Sequence, residues 1–370
     1  MDDDCIYKIR DSVDIFLSNG RYITAYYMNS RQRKTFKVNE ETVHLLENID
    51  GERTLLEIKE YMRTKYNVNP LFVEIVVADM VKNRILTKLV NHDSIILSQD
   101  CIERYTRQIN YFSEFLNSEE DGVLSQKKVM DSKIIIFGCG AVGGNIAIEL
   151  AMAGVSHIVL YDFDKVERSD TARHLFYKER YENLDKVTAL ANELRQINSN
   201  IDVQAICKSM KPKTNIEELI RTADFVVNTM DEPYIGYTSS KISRVCIKHK
   251  IAHFIAGGFD AHLASTGELI IPYITPCVEC YANHFKESLR GWKPRKHPVK
   301  MRSREIGGLA SMSLFSSSYA CIEILKYIAG LLPMNTDFKI RGEFLFYDMS
   351  LTYLHVKKDP NCPICGRALK

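Results

Sequence analysis

The sequence predicts an α/β chain: a doubly wound, Rossmann-like sheet preceded by a small α+β domain of winged-helix type. Three observations carry this prediction. Strand-like and helix-like patterns alternate from Lys133 onward. A glycine turn, Gly138-Cys139-Gly140-Ala141-Val142-Gly143, stands between the first strand and the first helix of that series. Two Cys-x-x-Cys pairs, Cys277/Cys280 and Cys362/Cys365, follow far downstream.

The size and composition set bounds. A chain of 370 residues with 45% hydrophobic content can bury two cores. A formal net charge of +2 supplies no field for nucleic acid or a membrane surface. The acidic start Met1-Asp2-Asp3-Asp4 lacks the apolar stretch of a secretory signal. No apolar run reaches the ~20 residues of a membrane span. These points predict a soluble, cytoplasmic chain with neither nucleic acid nor membrane as partner. Its ten cysteines then read as metal ligands or small apolar groups rather than disulfides.

Residues 1–92 form the first predicted domain. Tyr7 to Leu17, an Asn19-Gly20 turn and Arg21 to Met28 read as a β-hairpin. A first helix is expected from near Asn39. The second opens on Thr54-Leu55-Leu56-Glu57, a capping box, with Leu55, Ile58 and Met62 on one face. The third has Asn69 as its cap, Pro70 at its first position and a stripe of Val73, Val76, Val77 and Met80. Ile85 to Val90 closes the unit as a strand. A DNA-binding role is the rival reading, but no helix concentrates Arg and Lys on one exposed face.

Residues 93–130 read as a mostly polar connector holding Arg104-Tyr105-Thr106-Arg107-Gln108. Residues 131–370 form the second domain. Lys133 to Phe137 is an unbroken apolar strand, followed by the glycine turn and a small-residue helix that Gly154 stops. Further strands are expected at His157–Tyr161, Val203–Cys207, Asp224–Thr229 and Ile251–Ala256. Leu269–Pro272 and Phe344–Tyr353 are expected to be antiparallel.

The chemistry-bearing residues lie at strand ends. Gly138, Gly140 and Gly143 let backbone approach phosphate at a helix N-terminus, and Asp162 stands where a ribose is bound. Taken alone, that fingerprint reads as an NAD-dependent oxidoreductase. Arg173, Lys186 and Asp231 instead suit ATP: two cations for phosphates, and a carboxylate for Mg²⁺ or for assisting a reacting carboxylate. Cys277, Cys280, Cys362 and Cys365 have the spacing of a structural Cys₄ Zn²⁺ site. Lys286 to Arg304 is rich in Lys and Arg and carries Trp292; it reads as a lid or as a solvated loop.

In this order, Arg104 to Gln108, the glycine turn, Asp162, Arg173, Lys186, Asp231 and both cysteine pairs resemble the E1-like adenylating family (ThiF, HesA, MoeB and ubiquitin-activating enzymes). The resemblance implies attack of a peptide carboxylate on the α-phosphate of ATP-Mg²⁺. It assigns ATP binding to Gly138, Gly140, Gly143, Asp162, Asp164, Asp170, Arg173, Lys186 and Asp231. Catalysis falls to Arg107, Arg173, Lys186 and Asp231, with Arg107 as an arginine finger from the second subunit of a homodimer. Two positions depart from the family: Asp170 replaces its Asn, and His174 replaces its Gln. An acidic group there disfavours a triphosphate unless Mg²⁺ or a base compensates.

The first domain, through Thr42–Ile58 and Val76–Leu86, resembles the PqqD-like leader-recognition domain. That implies a precursor peptide whose leader adds a strand at the edge near Arg21 to Met28. Arg31, Arg33, Lys34 and Lys37 would suit an acidic leader, or form a solvated charge run. The combination resembles the peptide-modifying branch that matures pantocin A and microcin C7. Its expected activity is cross-linking of Glu carboxylates with loss of water. Nucleotidylation of a peptide C-terminus and activation of a sulfur-carrier protein are the alternatives.

Overall fold

The computed structural model describes residues 2–19, 21–89, 96–260, 263–291, 307–332 and 341–366. The chain divides into two compact units, Met1–Lys127 and Lys128–Lys370.

In the first unit, β1 (Tyr7–Ile9) pairs antiparallel with β5 (Leu86–Lys88), while β2 (Val13–Ser18), β3 (Tyr22–Tyr27) and β4 (Gln32–Lys37) form a separate three-stranded sheet. Between β4 and β5 come α1 (Glu40–Asn48), α2 (Leu55–Tyr66) and α3 (Pro70–Lys82). Each helix starts where its cap predicts. Asn39 accepts from Thr42 N, Thr54 and Glu57 form the reciprocal box, and Asn69 precedes Pro70. Leu55, Ile58, Met62, Val73, Val77 and Met80 are buried in one core with Ile23, Ala25 and Leu45.

Three expectations change here. The Tyr7–Leu17 strand breaks at Arg10–Ser12, so its halves join different sheets. The charged run 32–37 is itself a strand, because Thr35 and Phe36 pair with Thr24 and Ile23. Consequently Arg21 to Met28 is not an edge: β3 is flanked on both sides, and the sheet's free edges are β2 and β4. The third change concerns the polar connector, which is helical. It forms α4 (Gln99–Phe115) and α5 (Glu119–Asp131), and α4 lies within the first unit. The polar residues mask an apolar stripe on α4, where Tyr105, Ile109 and Phe112 are buried.

The second unit is built on a six-stranded sheet. In chain order its main elements are β6 (Lys133–Phe137), α6 (Ala141–Met152), β7 (His157–Asp162), α7 (Lys186–Ile197), β8 (Asp202–Cys207), α8 (Glu217–Ile220), β9 (Phe225–Asn228), α9 (Ile235–Lys248) and β10 (Ala252–Ile255). β11 (Phe259–Asp260), β12 (Leu263–Ser265), β13 (Glu268–Ile270), α10 (Val278–Ser288), α11 (Ala310–Ile328), β14 (Arg341–Leu345) and β15 (Ser350–Leu354) follow. The order is β13-β10-β9-β6-β7-β8, all parallel except β13. Strands β6 and β9 are buried along almost their full length, as their unbroken apolar runs require. The expected strand at Phe344–Tyr353 is instead the hairpin β14–β15, part of a second antiparallel sheet with β11 and β12. Helix α11 packs on α6 through small residues; the Ser317 hydroxyl donates to Val142 O at 3.0 Å. Among the described residues no helix is long and apolar enough to cross a membrane.

Candidate functional site

The crevice lies at the carboxyl ends of β6, β7 and β9, where the strand order reverses between β6 and β9. The three glycines of the turn do different work. Gly138 has φ +95°, and a Cβ there would meet Thr229 Oγ1 at 2.3 Å. A Cβ on Gly143 would meet the Gly138 carbonyl oxygen at 2.1 Å, so the helix abuts the strand end. Gly140 faces open space, with nothing within 4 Å of a Cβ. It is also the N-cap of α6 and supplies no side-chain cap, which leaves first-turn N–H groups available to an anion.

Asp162 ends β7 with its carboxylate buried. Oδ2 accepts from Cys139 N at 2.6 Å, and Oδ1 accepts from Phe163 N at 2.6 Å and Asp164 N at 2.9 Å. The carboxylate therefore shapes the glycine turn directly. Burial pushes the neighbouring Cys139 thiol well up, so it stays protonated and packs as an apolar group. Two further groups brace the turn. Tyr177 Oη donates to Cys139 O at 2.9 Å and Lys186 O at 3.2 Å, and the Thr229 hydroxyl contacts Phe137 O and Gly138 O at 3.1 Å. Sequence reasoning missed both. Thr229, the polar residue closing an apolar strand, was a readable signal; Tyr177 carried none.

Asp170 gathers the cations. It sits 1% exposed on the short 3₁₀ turn Arg168–Ala172. Its Oδ1 lies 2.9 Å from Arg173 Nη2 and 3.3 Å from His174 Nε2, and its Oδ2 lies 2.9 Å from Glu167 N and 3.6 Å from Lys186 Nζ. Burial pushes this carboxyl up, but the hydrogen bonds from His174 and Glu167 N–H and the Lys186 charge outweigh it. The group is held well below the usual carboxylate range. Burial pushes His174 down more than Asp170 raises it, so its ring is neutral at pH 7 and donates from Nε2. Lys186 opens α7 and also contacts Asp164 Oδ2 at 3.4 Å. The base that an acidic residue at position 170 requires is thus present twice, as Arg173 and Lys186. Arg173 is half exposed.

Asp231 is exposed just beyond β9, with no hydrogen bond or ion pair among the described residues. Arg107 stands on α4 in the first unit, also exposed, and lines a cavity within that unit. The residues Trp292 to Arg304 of the expected basic lid lie outside the described residues; Lys286 belongs to the end of α10.

Cys277, Cys280, Cys362 and Cys365 converge, all buried, with their sulfurs within 4.8 Å of one another. The Sγ–Sγ distances are 3.9 Å for Cys277–Cys280, 3.6 Å for Cys277–Cys362 and 3.5 Å for Cys280–Cys365. These are too long for disulfides and match the edge of about 3.8 Å that a tetrahedron with Zn–S of about 2.3 Å requires. Four thiolate donors suit Zn²⁺. The ion would clamp the start of α10 to the segment 362–366.

The ThiF family pattern matches residues 105–364. The adenylyltransferase and sulfurtransferase MOCS3 of Bos taurus is 27% identical over 277 residues, 73% of this chain but 54% of that protein, so the chain spans about half its length. Escherichia coli MccB, solved with ATP, superposes with a TM-score of 0.68 at 18% identity, over 97% of this chain and 99% of that one. PaaA superposes with a TM-score of 0.68 at 20% identity, over 94% and 100%. At these identities the two structures establish a common fold.

Proposed function

This chain belongs to the ThiF family, and from that premise we propose that it modifies a ribosomally made precursor peptide, activating Glu side-chain carboxylates as adenylates and joining them with loss of water. It is an ATP-dependent adenylating enzyme of the E1-like type. The observation that carries the peptide reading is the combination on one chain of a phosphate-ready crevice and a small unit with free strand edges.

A peptide carboxylate oxygen attacks the α-phosphorus of ATP, the bond to the β-phosphate oxygen breaks, and pyrophosphate leaves. A second peptide nucleophile then attacks the acyl carbon and displaces AMP. The peptide loses one water in total. In this reading the first-turn amides of α6 and the cations Arg173 and Lys186 meet the phosphates, and Asp162 meets the ribose. Asp164 stays paired with Lys186, and exposed Asp231 meets Mg²⁺. Preorganised charge of this kind stabilises the transition state as pyrophosphate departs. Zn²⁺, when bound to the four cysteines, supplies only structure.

The leader would add a strand to the first unit. Strand β4 offers a free edge, and Leu71 and Ile75 on α3 are 60% and 59% exposed, as a groove for apolar leader side chains requires. A homodimer, in the cytoplasm, completes the proposal. The fold shared with MccB over 97% of this chain favours peptide nucleotidylation as the second reading.

The test is to incubate the purified chain with Mg-ATP and the short peptide encoded beside its gene, and to weigh the peptide. Loss of water with AMP formed supports cross-linking. Gain of a nucleotidyl mass moves the assignment to the second reading. Absence of both AMP and pyrophosphate overturns the peptide substrate.

A further inference from the structure

Two peptide groups flank Cys139 in the glycine turn, and they are held differently. The first, between Gly138 and Cys139, is held at both ends inside the protein. Its carbonyl oxygen, Gly138 O, accepts from the Thr229 hydroxyl at 3.1 Å, and its N–H, that of Cys139, donates to Asp162 Oδ2 at 2.6 Å. The second, between Cys139 and Gly140, is held at one end. Cys139 O accepts from Tyr177 Oη at 2.9 Å, whereas the Gly140 N–H has no hydrogen-bond partner among the described residues. This bond is trans, and in a planar trans peptide the C=O and N–H point in opposite directions. Tyr177 is 3% exposed, so the carbonyl points into the protein and the N–H points away from it. The backbone has room there, since a Cβ on Gly140 would meet nothing within 4 Å.

The hydroxyl that sets this direction is itself firmly placed. Burial pushes the Tyr177 phenol well above its ordinary value, so it stays protonated and donates. Its ring packs against His174 and Phe176, with centroids 4.6 Å and 4.4 Å away. Phe176 in turn fills the space beside Gly144, where a Cβ would meet its Cζ at 2.1 Å. The same hydroxyl lies 3.2 Å from Lys186 O, on the first residue of α7. One oxygen atom therefore touches both the turn that opens α6 and the residue that opens α7. Removing it leaves two buried carbonyls without this donor. It also removes the one hydrogen bond found on the Cys139–Gly140 plane among the described residues.

We propose that Tyr177 is a positioning residue for the nucleotide: by holding Cys139 O it aims the Gly140 N–H at a phosphate of ATP. Tyr177 touches no phosphate itself and acts through the peptide plane. The target of that N–H, a phosphate at the α6 N-terminus, rests on the function proposed above. Loss of the hydroxyl then weakens ligands that carry phosphate and spares adenosine, which brings no anion for that N–H to meet.

The full chain, labelled with ¹⁵N at glycine, reports on this directly, with the Gly140 amide assigned through Gly140→Ala. The parent and Tyr177→Phe are each titrated with Mg-ATP and with adenosine. In the parent, ATP should move the Gly140 amide proton downfield with saturation, and adenosine should move it much less. Tyr177→Phe should bind ATP at least about tenfold more weakly and lose most of that shift, with adenosine affinity within about twofold of the parent. Tyr177→4-aminophenylalanine restores a donor at the ring's para position and should return most of the ATP affinity. Tyr177→4-fluorophenylalanine fills the space without donating and should not. A merely structural role predicts instead that ATP and adenosine weaken together in Tyr177→Phe, and that result overturns the proposal. So does a Tyr177→Phe chain that matches the parent in ATP affinity and Gly140 shift. Should the phenylalanine variant fold poorly, a folded 4-aminophenylalanine chain that still binds ATP tenfold more weakly overturns it as well. A parent chain that binds ATP while its Gly140 amide stays unmoved shows that the phosphates lie elsewhere, which removes their proposed placement at α6 together with the role of Tyr177.

Discussion

Asp170 and Arg173, one helical turn apart, form an ion pair of 2.9 Å in which the carboxylate is buried and the guanidinium half exposed. The buried carboxylate thus anchors a guanidinium that solvent still reaches. The first prediction concerns that anchor. Asp170→Asn should cost about 1–3 kcal/mol, because Lys186 and Arg173 lose a buried counter-ion while the amide keeps the shape. In a unit of this size that lowers Tm by about 2–4 °C per kcal/mol. The folded carboxyl lies below its unfolded value of about 3.9, so its contribution is complete above that pH and fades as pH falls from there toward the depressed folded value. The gap between thermal melts of the two chains should therefore begin to narrow below about pH 4 and go on narrowing as pH falls further. A constant gap between them would show that the charge is irrelevant.

The glycine turn allows a two-residue contrast. A Cβ at Gly140 enters open space, so Gly140→Ala should fold with Tm changed by little and bind ATP at least tenfold more weakly. A Cβ at Gly143 strikes the Gly138 carbonyl oxygen at 2.1 Å, so Gly143→Ala should lose several kcal/mol of stability. Melts and equilibrium ATP binding separate the two. Equal destabilisation by both would mean that the turn is only a packing element.

Cys365→Ser, or removal of metal by a chelator, should unfold the C-terminal clamp and lower Tm markedly, since structural Zn²⁺ sites contribute on the order of 10 kcal/mol. Elemental analysis of the untreated chain should give one zinc per polypeptide. Unchanged melting after metal loss would remove the structural role.

On α3, Ile75 is more than half exposed and outside the core. Ile75→Asp should leave stability within about 0.5 kcal/mol of the parent and reduce precursor-peptide affinity about tenfold. Fluorescence anisotropy with a labelled leader checks this. Undiminished affinity would direct attention to the β2 edge instead.

Much of this was legible locally. Thr54 with Glu57, and Asn69 with Pro70, announce helix starts because capping is a contact between residues three or fewer apart. The unbroken apolar run 133–137 announces a buried parallel strand, and the four cysteines announce their own cluster because that spacing serves few other purposes. The fold class, the family chemistry and the cluster of four cysteines could thus be read from sequence alone.

Other features depend on partners distant in the chain. Residues 32–37 look like solvated charge until β3 lies beside them, and α4 reads as polar because only one stripe of it is buried. Asp170 seemed to oppose phosphate binding, and only the fold, by bringing Lys186 and Arg173 to its two oxygens, makes it the anchor of those two cations. Short-range hydrogen bonding and hydrophobic periodicity are written along the chain; the charge balance of a buried site is a sum over neighbours that the chain brings together only on folding.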